Sequence, residues 1–113
     1  MKHLSFLSLL PLVLAASACA AAPAGSVVVM RSLGSTQCNG GGQVPAALAR
    51  QLTDAVISVT ATRCGSDGRM RPAMCGAADG RVGLFEIAAG SVEAAAKLGF
   101  RAIGPDVQER PCP

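Results

Sequence analysis

Residues 81–103 read RVGLFEIAAGSVEAAAKLGFRAI, a stretch that indicates a strand, a tight turn, a helix and a return strand. Val82 to Ile87 is rich in β-branched and aromatic residues and lies between two glycines, which is typical of a strand. Ser91 can cap the following helix, and Gly99 can take the left-handed conformation that ends it. The return strand is then expected to begin at Phe100.

The residues before this stretch predict a looser copy of the same unit. Ser26 to Leu33 is an apolar run that indicates a central strand, and Ile57 to Thr62 alternates as a half-buried strand does. Between them, Pro45 suits the first turn of a helix. The apolar stripe of that helix is expected to consist of Val44, Leu48, Leu52 and Val56. The order β-α-β-β-α-β predicts one α+β domain over residues 26–113, ferredoxin-like, with a four-stranded antiparallel sheet and two helices on one face.

Three segments carry a resemblance to a known family: Val29–Gly34 in the first strand, Ala47–Leu52 in the first helix, and Arg81–Val82 at the start of the third strand. In order and size the layout resembles the SPOR-type peptidoglycan-binding domains of bacterial envelope proteins. The resemblance spans residues 27–103 and implies a cell-wall partner. The chain departs from the family pattern because it lacks the usual aromatic residues and has a long hairpin loop flanked by cysteines.

The N-terminus predicts export. A short basic start is followed by an apolar run to Ala16, which is shorter than the roughly 20 residues that span a membrane. We therefore expect residues 1–18 to be a signal peptide. Ala16-Ser17-Ala18-Cys19 resembles a bacterial lipobox, with Ala16 where Leu is usual, so Cys19 is the expected lipidation site and residues 19–25 a tether. The alternative is ordinary cleavage after Ala18 or Ala20. The lipobox predicts a protein of the periplasm or outer membrane that contacts the membrane only through its anchor.

Cysteine counting supports export into an oxidising compartment. The chain has five cysteines, and without Cys19 an even set of four remains: Cys38, Cys64, Cys75 and Cys112. Four cysteines can form two disulfides in three connectivities, among which sequence does not choose. Because Cys64 and Cys75 flank one loop, we expect them to be bonded to each other, which leaves Cys38 for Cys112.

Composition excludes several classes of function. From Cys19 onward there are nine Lys and Arg against seven Asp and Glu, which is too balanced for a nucleic-acid partner. The one histidine is His3, so the mature chain has no histidine base or zinc ligand. No residue pattern indicates a cofactor, and no nucleophile is paired with a base. We therefore expect a protein that is not an enzyme.

The loop from Cys64 to Cys75 is the candidate binding surface. Arg69 and Arg71 flank Met70 there, and a disulfide would preorganise the loop. The sequence thus predicts a non-enzymatic, lipid-anchored protein of the cell envelope that binds a protein or peptidoglycan partner. Binding is expected either through Arg69, Met70 and Arg71 of this loop or through the face of the sheet. The alternative is a periplasmic thiol-redox or soft-metal protein that uses Cys75, Met70 and Met74.

Overall fold

The computed structural model describes residues 25–113. The predicted signal peptide and the predicted lipidation site, Cys19, lie outside these residues. The described chain forms β1 (Ser26–Ser32), α1 (Pro45–Asp54), β2 (Val59–Ser66), β3 (Arg81–Ala88), a short 3-10 turn (Ala89–Ser91), α2 (Val92–Lys97), β4 (Arg101–Ala102) and β5 (Gln108–Arg110).

The strands form one antiparallel sheet in the order β4-β1-β3-β2-β5. In β1, Met30 lies between Leu84 of β3 and Arg101 of β4. In β2, Cys64 lies between Gly83 of β3 and Arg110 of β5. The hydrophobic strand β3 is therefore central, as its run of buried side chains requires.

The predicted ferredoxin-like fold is wrong. The sheet has five strands rather than four and is strongly curled, and the helices are only ten and six residues long. The residues beyond Gly104 include β5, which pairs with β2 and for which the sequence predicted no strand. Gly65 makes this possible: a side chain there would place its Cβ 2.6 Å from the Gln108 carbonyl oxygen. Gly65 therefore lies within a strand, where a neighbouring backbone approaches closely.

The main core lies between the sheet and the two helices. The rings of Phe85 and Phe100 meet edge to face, with centroids 5.5 Å apart. The buried members of this core are Val29, Leu33, Leu48, Leu52, Ile57, Phe85, Ile87, Ala95 and Phe100. A smaller cluster of Met30, Val82 and Leu84 lies on the opposite face of the sheet. Residue alternation along β1 and β3 explains the two clusters, because neighbouring side chains point to opposite faces.

The ends of the helices agree with the prediction for α2 but not for α1. Gly99 has a φ of 88° and its amide donates to Ala96, so the predicted glycine stop after α2 is confirmed. The predicted stripe of α1 is wrong at both ends. Leu48 and Leu52 are buried, but Val44 and Val56 lie outside the helix and are 65% and 93% exposed.

Two disulfides join Cys38 to Cys75 and Cys64 to Cys112. All four predicted cysteines are therefore bonded, but the predicted pairing is wrong. Cys64 lies inside β2, which directs it to the C-terminal segment alongside, whereas Cys75 lies against the connection after β1. In sequence the two bonds overlap, since Cys64 falls between Cys38 and Cys75. Disulfides persist in oxidising compartments, so both bonds agree with the predicted export.

Candidate binding surface

The Cys38–Cys75 bond joins two loops: residues 34–43, which follow β1, and residues 67–80, which connect β2 to β3. We call them the cross-linked loops. Their two cysteines have Cα atoms 5.1 Å apart. The bond ties together segments separated by 37 residues in sequence, so it restrains both loops at once.

Gln37 makes most of the hydrogen bonds between the cross-linked loops. Its backbone amide donates to the Ala77 carbonyl at 2.8 Å, and its own carbonyl accepts the amide of Gly76 at 3.0 Å. Its side-chain amide donates to the carbonyls of Pro72 and Ala78, and its Oε1 accepts the amide of Met74 at 2.9 Å. Sequence reasoning missed this residue, because nothing around a single loop glutamine indicates which backbone it will contact.

A buried polar pair closes the base of the loops. The Ser35 hydroxyl, in a residue only 7% exposed, donates to Asp79 Oδ1 at 2.9 Å. The same oxygen accepts the Arg81 amide at 2.9 Å. Burial by itself raises the pKa of Asp79, but the hydrogen bonds from Arg81 and Ser35 outweigh it, so this pKa lies below its usual value. Asp79 is therefore held ionised as a structural acceptor.

Arg71 points into the structure rather than toward a partner. Its guanidinium donates to both carboxylate oxygens of Asp67, at 2.7 and 2.6 Å. The Asp67 side chain is only 8% exposed. The hydrogen bond from Arg71 lowers the pKa of Asp67 from 3.8 to about 2. Gly80 leaves room for this pair, because a Cβ there would lie 2.6 Å from Arg71 Nη1.

The three predicted binding residues therefore lie in different surroundings. Met70 is fully exposed, and Met74 on the same loop is 58% exposed. Arg69 is also exposed, but it borders an open cavity on the face of the sheet away from the helices. The expected Cys64–Cys75 closure of this loop is replaced by the bond to Cys38. What the loops present outward is a disulfide-bonded and hydrogen-bonded backbone with two exposed methionines.

The bonding of Cys75 argues against the redox and soft-metal alternative. Cys75 is bonded to Cys38, so in this state it offers no thiolate to a metal or to a disulfide substrate. Within residues 25–113 there is no group of three or more His, Cys, Asp or Glu placed to hold a metal ion.

No helix in the described part of the chain is both long enough and apolar enough to cross a membrane. Comparison of the chain with protein-family models, with curated proteins and with solved structures gave no match. The resemblance to SPOR-type domains thus has no support from these comparisons.

Proposed function

We propose that the chain is a small non-enzymatic protein of the bacterial cell envelope, lipid-anchored through Cys19, which binds a protein or cell-wall partner through its cross-linked loops. The observation that carries the proposal is that the exposed Met70 and Met74 lie on a loop cross-linked by the Cys38–Cys75 bond. A preorganised loop loses little conformational entropy on docking, which favours affinity. Methionine is flexible and polarisable, and it is common at surfaces that adapt to a partner.

Binding to a protein and binding to the cell wall can both be tested with one pair of variants. Met70→Gln with Met74→Gln removes the apolar groups of the loops, while Val44→Gln with Val56→Gln removes two exposed apolar groups at the ends of α1. Each protein is tested for co-sedimentation with purified peptidoglycan and for crosslinked capture of a protein from envelope extract. We expect the methionine variant alone to lose binding. Equal loss in the valine variant, or full retention in the methionine variant, would contradict the proposal.

The anchor is tested separately in living cells. The intact chain is expected to incorporate labelled fatty acid and to partition into detergent, and Cys19→Ala is expected to do neither. Sequencing of the mature N-terminus gives the second measurement. In the intact chain, a mature N-terminus at Ala20 or Ala21 would contradict the anchor and leave a freely secreted protein.

A further inference from the structure

An open cavity of about 240 Å³ lies on the face of the sheet opposite the helices. Its floor is Met30, a member of the smaller core cluster. One wall is the start of the second cross-linked loop, with Asp67 and Arg69. The other wall is the segment from β4 to β5, with Arg101, Asp106 and Val107.

The walls of this cavity are fixed by backbone contacts. Gly68, with a φ of 73°, packs against the backbone of Asp106 so closely that a Cβ would overlap the Asp106 carbonyl oxygen. Asp67 is held by Arg71 and by its own amide, which donates to the Gly80 carbonyl at 2.9 Å. Arg101 is placed by its pairing opposite Met30. The backbone of both walls is therefore held in place by contacts within the protein.

The charges around the cavity are unevenly paired. Asp67 is neutralised by Arg71. Between Gly25 and Pro113 the other ion pairs join Arg63 to Glu109 and Arg81 to Asp79. Arg69 and Arg101 thus have no carboxylate partner in this part of the chain, and Asp106 has no cationic one. Two unpaired guanidinium groups and one unpaired carboxylate border the same space.

We infer that this cavity binds the zwitterionic backbone of a free amino acid or a very short peptide. Arginine recognises a carboxylate through paired, charge-assisted hydrogen bonds, so Arg69 and Arg101 take the ligand's carboxylate. Asp106 takes its ammonium group, and Met30 contacts its carbon chain. The Asp106 carboxylate repels a phosphate dianion, which argues against a general anion site. The volume lies below the roughly 300–1,000 Å³ of most ligand pockets, which limits the ligand to this size.

The inference goes beyond the proposed function, because neither Met70 nor Met74 borders the cavity. The two ideas can therefore fail separately. The variant Met70→Gln with Met74→Gln is expected to bind the small ligand as the parent protein does, whatever happens to partner capture.

The test is an NMR titration of the disulfide-bonded protein with the dipeptide alanyl-alanine, following the arginine Nε–Hε signals and the backbone amides of residues 102–104, 106 and 107. We expect saturable shifts at Arg69 and Arg101. The dipeptide amide, which lacks the carboxylate, should bind at least about tenfold more weakly, since charge-assisted bonds are lost. The N-acetyl dipeptide should also bind more weakly, and Asp106→Asn should remove that difference.

Matched variants and competing probes make the outcome decisive. Arg69→Gln with Arg101→Gln should abolish the shifts of the backbone amides around the cavity, whereas Arg50→Gln with Lys97→Gln, which removes two exposed charges from the helices, should leave the affinity unchanged. Dipeptide binding that survives the first pair, or an amide that binds as well as the free acid, would overturn the inference. Inorganic phosphate binding more tightly than the dipeptide would overturn it in favour of a simple anion site.

Discussion

At the scale of single residues, Val56 is a β-branched residue held in the left-handed backbone region, which β-branched residues rarely adopt. It has a φ of 62°, it is 93% exposed, and it follows the C-cap of α1. Its amide donates to Thr53 and the next amide to Leu52, both at 3.0 Å, so the helix stop needs this left-handed conformation. The conformation costs an L-residue roughly 1–2 kcal/mol, and glycine adopts it freely.

Val56→Gly is therefore expected to raise the free energy of unfolding by about 1 kcal/mol, which is the backbone gain less the greater entropy of unfolded glycine. Chemical denaturation with both disulfides intact measures this. Val56→Ala is the matched control, because it removes the exposed methyl groups but keeps a Cβ at positive φ. If alanine stabilises as much as glycine, backbone strain is not the cause.

Asp67 gives the residue-scale prediction for pH. Its pKa is lowered from 3.8 to about 2 in the folded state by the hydrogen bonds from Arg71. A carboxyl group with a depressed folded pKa stabilises the fold fully above its unfolded pKa, near 3.9, and this stability is lost as pH falls through the folded value. The relevant window is therefore about pH 4 to pH 2.

At pH 6, Asp67→Asn is expected to lower the free energy of unfolding by about 1–2 kcal/mol, a range reduced for the partial solvent access of Arg71. The gap between variant and parent should shrink as pH falls from 4 to 2. Denaturation curves at intervals across this range measure it. Asp54→Asn, at an exposed carboxyl on α1, is the control and should show no such convergence. A gap that stays constant to pH 2 would contradict the assigned ion pair.

Residue patterns predicted some of this site and could not predict the rest. The Arg69 to Arg71 segment was correctly located on a loop, because Gly68 and Pro72 mark it as irregular. The inward turn of Arg71 depends on Asp67, which precedes a glycine and is equally well explained as a turn residue. Gln37 had no local signal at all. Contacts between loops that are distant in sequence leave no periodic trace in either segment.

At the scale of elements, the buried strand β3 was predicted and the exposed strand β5 was missed. β3 was predicted almost to its ends because five of its eight residues are buried, all of them between Val82 and Ile87. β5 is exposed at every residue, so its sequence has the polar composition of a tail. What makes it a strand is pairing with β2 and the bond from Cys64 to Cys112, neither of which is a local property.

The two disulfides should therefore stabilise different elements by similar amounts. They span 37 and 48 residues, and the chain-entropy relation gives about 4 kcal/mol for each. Hydrogen exchange on Cys64→Ala with Cys112→Ala should show lost protection in β5 and its partner residues on β2. Cys38→Ala with Cys75→Ala should instead expose the amides of Gln37 and Gly76. Each double variant is the control for the other, and the same protection pattern in both would contradict the assignment.

At the scale of the whole molecule, the number of cysteines predicted the number of disulfides but not their pairing. An even set of four was enough to predict two disulfides, because an exported domain with a thin core commonly relies on them. Their pairing depends on β5, which lies beside β2, and on the contact between the cross-linked loops. It could therefore be predicted only from the correct fold. Cys64 and Cys75 are the nearest pair in sequence, but Cys64 lies in β2 and is bonded to Cys112, whereas Cys75 lies in the following loop and is bonded to Cys38.

The overlap of the two bonds also determines how the molecule responds to a protease. A single cut between Cys38 and Cys64 leaves the pieces joined through Cys75, and one between Cys75 and Cys112 leaves them joined through Cys64. A cut at the exposed Arg69, an accessible site for trypsin, falls where both bonds bridge the gap. One nick anywhere from residue 39 to residue 111 thus releases no fragment until the disulfides are reduced. Between Cys38 and Cys112, the polypeptide therefore stays covalently connected after the cleavage of any one peptide bond.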